Sequence, residues 1–154
     1  MLSRPIWVTR ERPKIDRIAC PSLIKNFVDR DAAFIYVPKE QVFEKVKEKG
    51  AIPYDIPGAE YSHYDDECSF YYIIKKHSLA DPALLQIAII FRGADADRLE
   101  FAPQSAGLWT ISAGLSCNDK DVHEMWELGM KIYDALYSWA KYVQEEKNTC
   151  NPCQ

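Results

Sequence analysis

Apolar residues in the first third of the chain alternate between the two-residue period of a strand and the longer period of a helix. Strand-like runs cover 5–9 and 32–37, and a third, shorter run covers 51–56. Helical stretches separate these runs. The order strand, helix, strand, helix, strand predicts a small layer of sheet and helix in the N-terminal half.

The first helical stretch contains a proline. Its apolar residues share one face: Ile15, Ile18, Ala19, Leu23, Ile24, Phe27 and Val28. Pro21 lies inside this pattern and has no amide hydrogen to donate to the carbonyl of Arg17. We therefore expect a bent helix with one unpaired carbonyl, or a short turn followed by a helix that begins at Pro21.

The second helical stretch, over 39–49, is highly charged. Its pattern directs Val42, Phe43 and Val46 inward, and Gly50 is placed to end it.

Beyond Ser69 the pattern is helical throughout. Helices are predicted at 69–77, 84–91, 105–115 and 122–145. The 84–91 run is apolar almost all round, which predicts a central, buried helix.

Two of these helices carry start signals. Asp81 followed by Pro82 is a typical start, with an N-cap before proline at the first helical position. Asp121 with Glu124 three residues later resembles a capping box. The predicted fold class is α+β, with a three-strand layer followed by a helical cluster.

Length and charge limit the kind of protein. The chain has 154 residues and a net charge of −4. This length suits a single domain, expected over 1–147, with a flexible cysteine-containing tail over 148–154. The acidic balance gives no reason to expect direct nucleic-acid binding. Without a long apolar run or a signal-peptide segment, we expect no membrane partner and a cytoplasmic location.

The five cysteines are odd in number and irregularly spaced, which favours thiols over a disulfide framework. Cys150 and Cys153 have a spacing shared by redox motifs and by half of a zinc ribbon. With no second cysteine pair nearby, an incidental pair of flexible thiols in the tail is the favoured interpretation.

Basic residues follow the first strand. Arg10, Arg12, Lys14 and Arg17 form a candidate anion pocket, because arginine forks match the oxygens of tetrahedral dianions. The alternative is a set of solvated charges, some of them in ion pairs.

The connection after the third strand carries possible metal ligands. Asp55, Glu60, His63 and Cys68 have the donor types that bind zinc or iron, although their spacing matches no known motif. They could instead be a helix cap, a half-buried histidine and a core thiol. We expect His63 to face the same cleft as Glu60 and Asp95.

A third candidate group lies at the end of the 84–91 helix. Arg92 could contact an anion, and Asp95 and Asp97 could join a metal or anion network. The alternative is an arginine placed on the helix dipole with two turn aspartates.

Several motifs together resemble a known family. Residues 7–21 read Trp-Val-Thr-Arg-Glu-Arg-Pro-Lys-Ile-Asp-Arg-Ile-Ala-Cys-Pro, and residues 50–60 read Gly-Ala-Ile-Pro-Tyr-Asp-Ile-Pro-Gly-Ala-Glu. Further matches are His63, Cys68-Ser69-Phe70 and the stretches 92–97, 103–108 and 133–137. In this order they resemble the C-terminal domain of the chromate-resistance protein B family, over about residues 5–142. Ser22 stands where the family pattern has tryptophan, and Arg92 where many relatives have histidine.

The resemblance implies a function in chromate resistance. It implies an oxyanion- or metal-responsive sensor or accessory protein with a chromate-like partner, and anion-binding residues at Arg10, Arg12 and Arg17 of the first motif. Arg92 departs from the family pattern and could be a further anion contact. The metal ligands would be Glu60, His63, Cys68, Asp95 and Asp97, holding a zinc or iron ion. The alternative is a small metal- or thiol-dependent enzyme acting on an oxyanion or a product of oxidative stress. A homodimer is a candidate assembly for either.

Overall fold

The computed structural model describes residues 3–11, 15–118 and 121–144, with the backbone alone at position 16. The predictions for Arg12, Lys14, Cys150 and Cys153 lie outside this part of the chain.

Three parallel strands form the sheet: β1 (Ile6–Arg10), β2 (Ala33–Val37) and β3 (Ile52–Pro53). Their order is β2-β1-β3, so β1 is central. The third strand is shorter than predicted. Tyr54 still donates its amide to Val8, but Asp55 turns the chain out of the ladder with a positive φ of 49°. The parallel arrangement brings the carboxyl ends of all three strands to one edge.

The connection from β1 to β2 keeps its proline inside the helix. Helix α1 (Ile15–Leu23) contains Pro21 and continues into a π-helical turn, Ile24–Val28. The alternative of a helix beginning at Pro21 is therefore wrong.

The connection from β2 to β3 is also helical. A 3₁₀ turn (Lys39–Gln41) leads into α2 (Val42–Lys49), which ends at Gly50 with the left-handed φ of 62°. Val42 is buried as predicted, but Phe43 is 40% exposed. The Phe43 ring lies beside the Gly58 turn rather than in the core.

The second half is helical, which confirms the α+β prediction. It contains α3 (Ser69–Lys76), α4 (Pro82–Asp95), α5 (Pro103–Asn118) and α6 (Val122–Ser138), which continues into a π-helical turn, Trp139–Val143. In the part of the chain that the structure describes, none of the helices is long and apolar enough to cross a membrane.

The structure shows how two predicted helices begin and how far a third feature, the burial of α4, agrees with its prediction. Asp81 caps α4 by accepting from the Ala83 amide, as expected of an N-cap. Asp121 caps α6 through His123 rather than through a reciprocal capping box with Glu124. Helix α4 is not buried all round, because Leu85 and Ile89 are 42% and 49% exposed.

The core lies on both faces of the sheet. The smaller cluster, around Val8, Val42 and Ile56, fills the space under α2. The larger cluster joins Trp7 and Tyr54 to α1 and to the helical half. Helices α4 and α5 approach closely, because a Cβ added at Gly93 would collide with Ser105. The helical half therefore packs against the same face of the sheet as α1.

Candidate functional site

Asp55 is the centre of a charged network at the carboxyl edge of the sheet. It lies two residues after β3, and its left-handed backbone is one that aspartate tolerates better than most residues. The residue is only 5% exposed. Ser69 donates its hydroxyl to Asp55 Oδ1 at 2.9 Å. A buried carboxylate needs several such partners, and the network supplies them.

Arg17 is the counter-ion of Asp55. It lies in the first turn of α1, and its Nε is 3.3 Å from Asp55 Oδ2. Its Nη1 donates to the carbonyl of Glu11 at 3.2 Å. Burial lowers the pKa of Arg17, while the charge of Asp55 acts in the opposite direction. The guanidinium is therefore a partly desolvated cation, which interacts more strongly with anions than a solvated one.

The carbonyl of Arg17 is held by two tyrosines. The Tyr36 hydroxyl donates to it at 2.6 Å, and the Tyr54 hydroxyl lies 3.1 Å from the same oxygen. Burial raises the pKa of both tyrosines, so they stay protonated donors. The unpaired carbonyl predicted from Pro21 is thus satisfied from the sheet rather than from the helix.

His63 links this network to the helical half. Its Nε2 lies 3.0 Å from Asp55 Oδ1 and 3.2 Å from Asp95 Oδ2. Asp95 is the last residue of α4, and His63 comes from the irregular segment between β3 and α3. The imidazole therefore joins a carboxylate of the sheet edge to one of the helices.

A cleft of about 450 Å³ opens beside Asp95. Asp97, Trp109, Ser112 and Ser116 line it together with Asp95, between the end of α4 and the length of α5. The cleft gives solvent and small polar molecules access next to the residues of the network.

The predicted metal ligands are distributed over several environments. His63 and Asp95 lie together, and Asp97 lines the adjacent cleft. Glu60 instead pairs with Lys76 at 2.8 Å and accepts from Tyr72 at 2.9 Å. Cys68 is buried, with its Sγ 4.0 Å from the carbonyl of Ala88.

Glu60 therefore does not share the contacts of His63, contrary to the expectation of a common cleft. Within the described residues, no group of three or more histidine, cysteine, aspartate or glutamate side chains has an arrangement suited to a metal ion. The zinc or iron site stays a prediction.

The predicted anion-binding arginines divide into two groups. Arg10 ends β1 close enough to Arg17 for its charge to lower the Arg17 pKa. The buried Nε of Arg10 has no hydrogen-bond acceptor among the described residues. Arg92 instead lies 3.7 Å from Asp66 and stacks its guanidinium over the ring of Phe101. Arg12 is outside the described ranges.

Sequence reasoning missed three residues that hold the network in place. Ser69, Tyr36 and Tyr54 lie in a predicted helix or in apolar strand-like runs, and nothing local distinguishes them from core residues. A clue existed for the tyrosines. A helix with an internal proline needs another donor for its free carbonyl, and hydroxyls on the sheet beneath it can provide one.

The fold and the network define an α+β domain with a charged site at the carboxyl ends of parallel strands, the usual place for ligand sites in such sheets. The chain belongs to the family described as ChrB, C-terminal domain, whose model matches residues 7–140. It is also similar to Protein ChrB of Cupriavidus metallidurans, with 28% identity over 111 residues. That alignment covers 70% of this chain and 32% of the relative, so the chain spans about a third of that protein. No solved structure matches it.

Proposed function

We propose that this chain is an oxyanion-responsive domain that acts in chromate resistance, and that it binds a chromate-like tetrahedral dianion beside Arg10 and Arg17. Membership of the ChrB C-terminal domain family supports the link to chromate. The position of the two arginines at the carboxyl edge of the sheet supports the choice of ligand.

The observation that carries the proposal is the ion pair of Arg17 with Asp55. Arg17 is a cation in a partly desolvated place, and a guanidinium offers two parallel donors to two oxygens of a dianion. An incoming dianion competes with Asp55 for these donors. Arg10 adds a second positive charge near Arg17, and Asp55 offsets one of the two.

The same network explains how binding would be transmitted. When Asp55 loses its contact with Arg17, its contact with His63 remains, and His63 also touches Asp95 at the end of α4. The bound anion thus changes the contact between the sheet layer and the helical half. A sensor requires such a coupling between its ligand and a second structural element.

Calorimetric titration with sulfate, molybdate and chromate tests the proposal. Sulfate and molybdate have the tetrahedral shape and the double negative charge of chromate. Unlike chromate, they do not oxidise thiols such as that of the exposed Cys117. We expect Arg17→Gln and Arg10→Gln each to raise the Kd of molybdate at least tenfold at low salt, where charge effects are largest.

Arg98→Gln is the matched control, because Arg98 is an exposed arginine paired with Glu100. It should leave the Kd unchanged. Equal affinities in all three variants, or no binding by the wild-type chain, would overturn the proposal. Loss of chromate tolerance in cells carrying Arg17→Gln, at unchanged protein level, would link anion binding by Arg17 to chromate resistance.

The second candidate is a small enzyme, and one observation favours it. His63 bridges two carboxylates next to an open cleft, which is an arrangement suited to proton transfer. A reaction that depends on the thiol of Cys20 or Cys68 has less support, because both are buried. Zinc and iron content of the chain purified without added metal tests the metal-dependent form of this candidate.

A further inference from the structure

Strand β2 has one edge that no described residue covers with backbone hydrogen bonds. Its order in the sheet places it outermost, next to β1 only. The Ala33 amide donates to the carbonyl of Pro5, and the Val37 carbonyl accepts from the amide of Glu11. Because these groups alternate along a strand, the amides and carbonyls of Phe34 and Tyr36 point away from β1.

This edge lacks the usual protection against pairing. The strand Ala33–Val37 has no charged residue and no proline, and all five residues are only partly exposed. Exposed edges of this kind are templates for another strand. A cavity of about 360 Å³ runs beside it, lined by Phe34, Val122 and Trp126 among others. The cavity leaves space for the side chains of an added strand.

We propose that the partner is β2 of a second copy of this chain, antiparallel and related by a two-fold axis at Ile35. The two sheets would then form one continuous six-stranded sheet. In this register Phe34 faces Tyr36 of the second copy, and each such pair exchanges two hydrogen bonds. All outward-facing groups of Phe34 and Tyr36 are then satisfied.

The neighbouring registers satisfy fewer groups. If the axis passed through Tyr36, Phe34 would face Pro38, which has no amide hydrogen. If the axis passed through Phe34, Tyr36 would face Ala32, whose amide already donates to the carbonyl of Asp29. The register centred on Ile35 is therefore the one that the hydrogen bonds favour.

Charges at the two ends of β2 favour the same arrangement. Asp31 and Arg30 precede the strand, and Lys39 and Glu40 follow it, all with exposed side chains. Antiparallel pairing about Ile35 places the turn that holds Arg30 and Asp31 of one copy at the same end as Lys39 and Glu40 of the other, where the 3₁₀ turn begins. Each end of the pair then holds acidic and basic side chains from both copies, which favours a second copy as the partner.

Sedimentation equilibrium with a charge exchange tests the arrangement. Asp31→Lys and Lys39→Asp should each weaken the dimer about tenfold, because each variant places like charges together at both ends of the pair. The double variant should restore the wild-type Kd within about twofold, since opposite charges face each other again. Lys49→Asp, at the far end of α2, is the control and should change nothing.

Amide hydrogen exchange measured by NMR gives a second, independent test. The Phe34 and Tyr36 amides should exchange slowly only at concentrations where the dimer forms, whereas the Ile35 and Val37 amides are bonded to β1 and should be protected at all concentrations. A chain that stays monomeric at millimolar concentration would overturn the proposal. A dimer in which the Phe34 and Tyr36 amides exchange rapidly would also overturn it.

Discussion

The Tyr36 hydroxyl donates a hydrogen bond to the carbonyl oxygen of Arg17, the oxygen that Pro21 leaves without a donor inside α1. The Tyr54 hydroxyl lies 3.1 Å from the same oxygen. Proline thus frees a helix carbonyl, and the hydroxyl groups of two tyrosines from the sheet layer hold it. The first turn of α1, which carries Arg17, is thereby fixed to the sheet edge where Asp55 lies.

This relationship predicts coupling between Tyr36 and Pro21. Tyr36→Phe removes the hydroxyl and should lower the free energy of unfolding by about 0.5–1.5 kcal/mol. Pro21→Ala restores an amide that can donate to the Arg17 carbonyl, so Tyr36→Phe should be milder in that background. Urea unfolding of the four proteins of the double-mutant cycle measures the difference. Tyr142→Phe, at an exposed ring, is the control. Additive effects would contradict a shared acceptor.

Asp55 should contribute mainly to the stability of the fold, and His63 mainly to function. Asp55→Asn leaves Arg17 without its counter-ion and weakens the bonds from Ser69 and His63, so it should destabilise the fold by about 3 kcal/mol. His63 is 43% exposed, and His63→Gln should change stability by less than about 1 kcal/mol. In-cell chromate tolerance or metal content should nevertheless fall in His63→Gln. Unchanged tolerance and metal content would assign His63 a structural function only.

Gly93 should resist even the smallest side chain. A Cβ there meets Ser105 and lies 2.9 Å from the carbonyl of Arg98. Gly93→Ala should therefore destabilise the protein by about 1–3 kcal/mol, as overpacking does. Gly114→Ala is the matched control, because it is also helical but has no atom within 4 Å of the new Cβ. It should be neutral or stabilise by up to about 1 kcal/mol. Thermal unfolding distinguishes the two variants.

Asp81 should contribute to the loss of stability in acid. Burial alone would raise its pKa, but hydrogen bonds from Tyr137, the Ala83 amide and Lys141 together lower it. A carboxyl with a lowered pKa in the folded state stabilises the fold above the pKa it has when unfolded, about 4. That contribution disappears as the pH falls through the lower, folded value.

Asp81→Asn removes this titration. The variant should be less stable than wild type at pH 7, and the difference should shrink as the pH falls below about 4. Urea unfolding of wild type and variant at several pH values measures the difference in stability and its change with pH. A difference that stays constant across this range would show that the Asp81 charge does not account for the loss.

The sequence alone determined the fold class of this protein and most of its secondary structure. Strand and helix periods, the Asp81-Pro82 start and Gly50 at the end of α2 are local signals, because each depends on residues within one or two turns of one another. The predictions that failed, such as inward Phe43 and a fully buried α4, concern which side of a helix meets another element. A single helix does not contain that information.

The site was decided by the tertiary structure. The sequence supplied arginine, aspartate and histidine as candidates, but Arg17, Asp55, His63 and Asp95 come from four separate segments. The parallel sheet brings two of them to one edge, and the packing of α4 brings the last. In the sequence, Glu60 and Arg92 are candidates of the same chemical types. In the structure, Glu60 pairs with Lys76 and Arg92 stacks on Phe101, so neither joins the Asp55 network. Their separation follows from side-chain packing between distant segments, which no local pattern encodes.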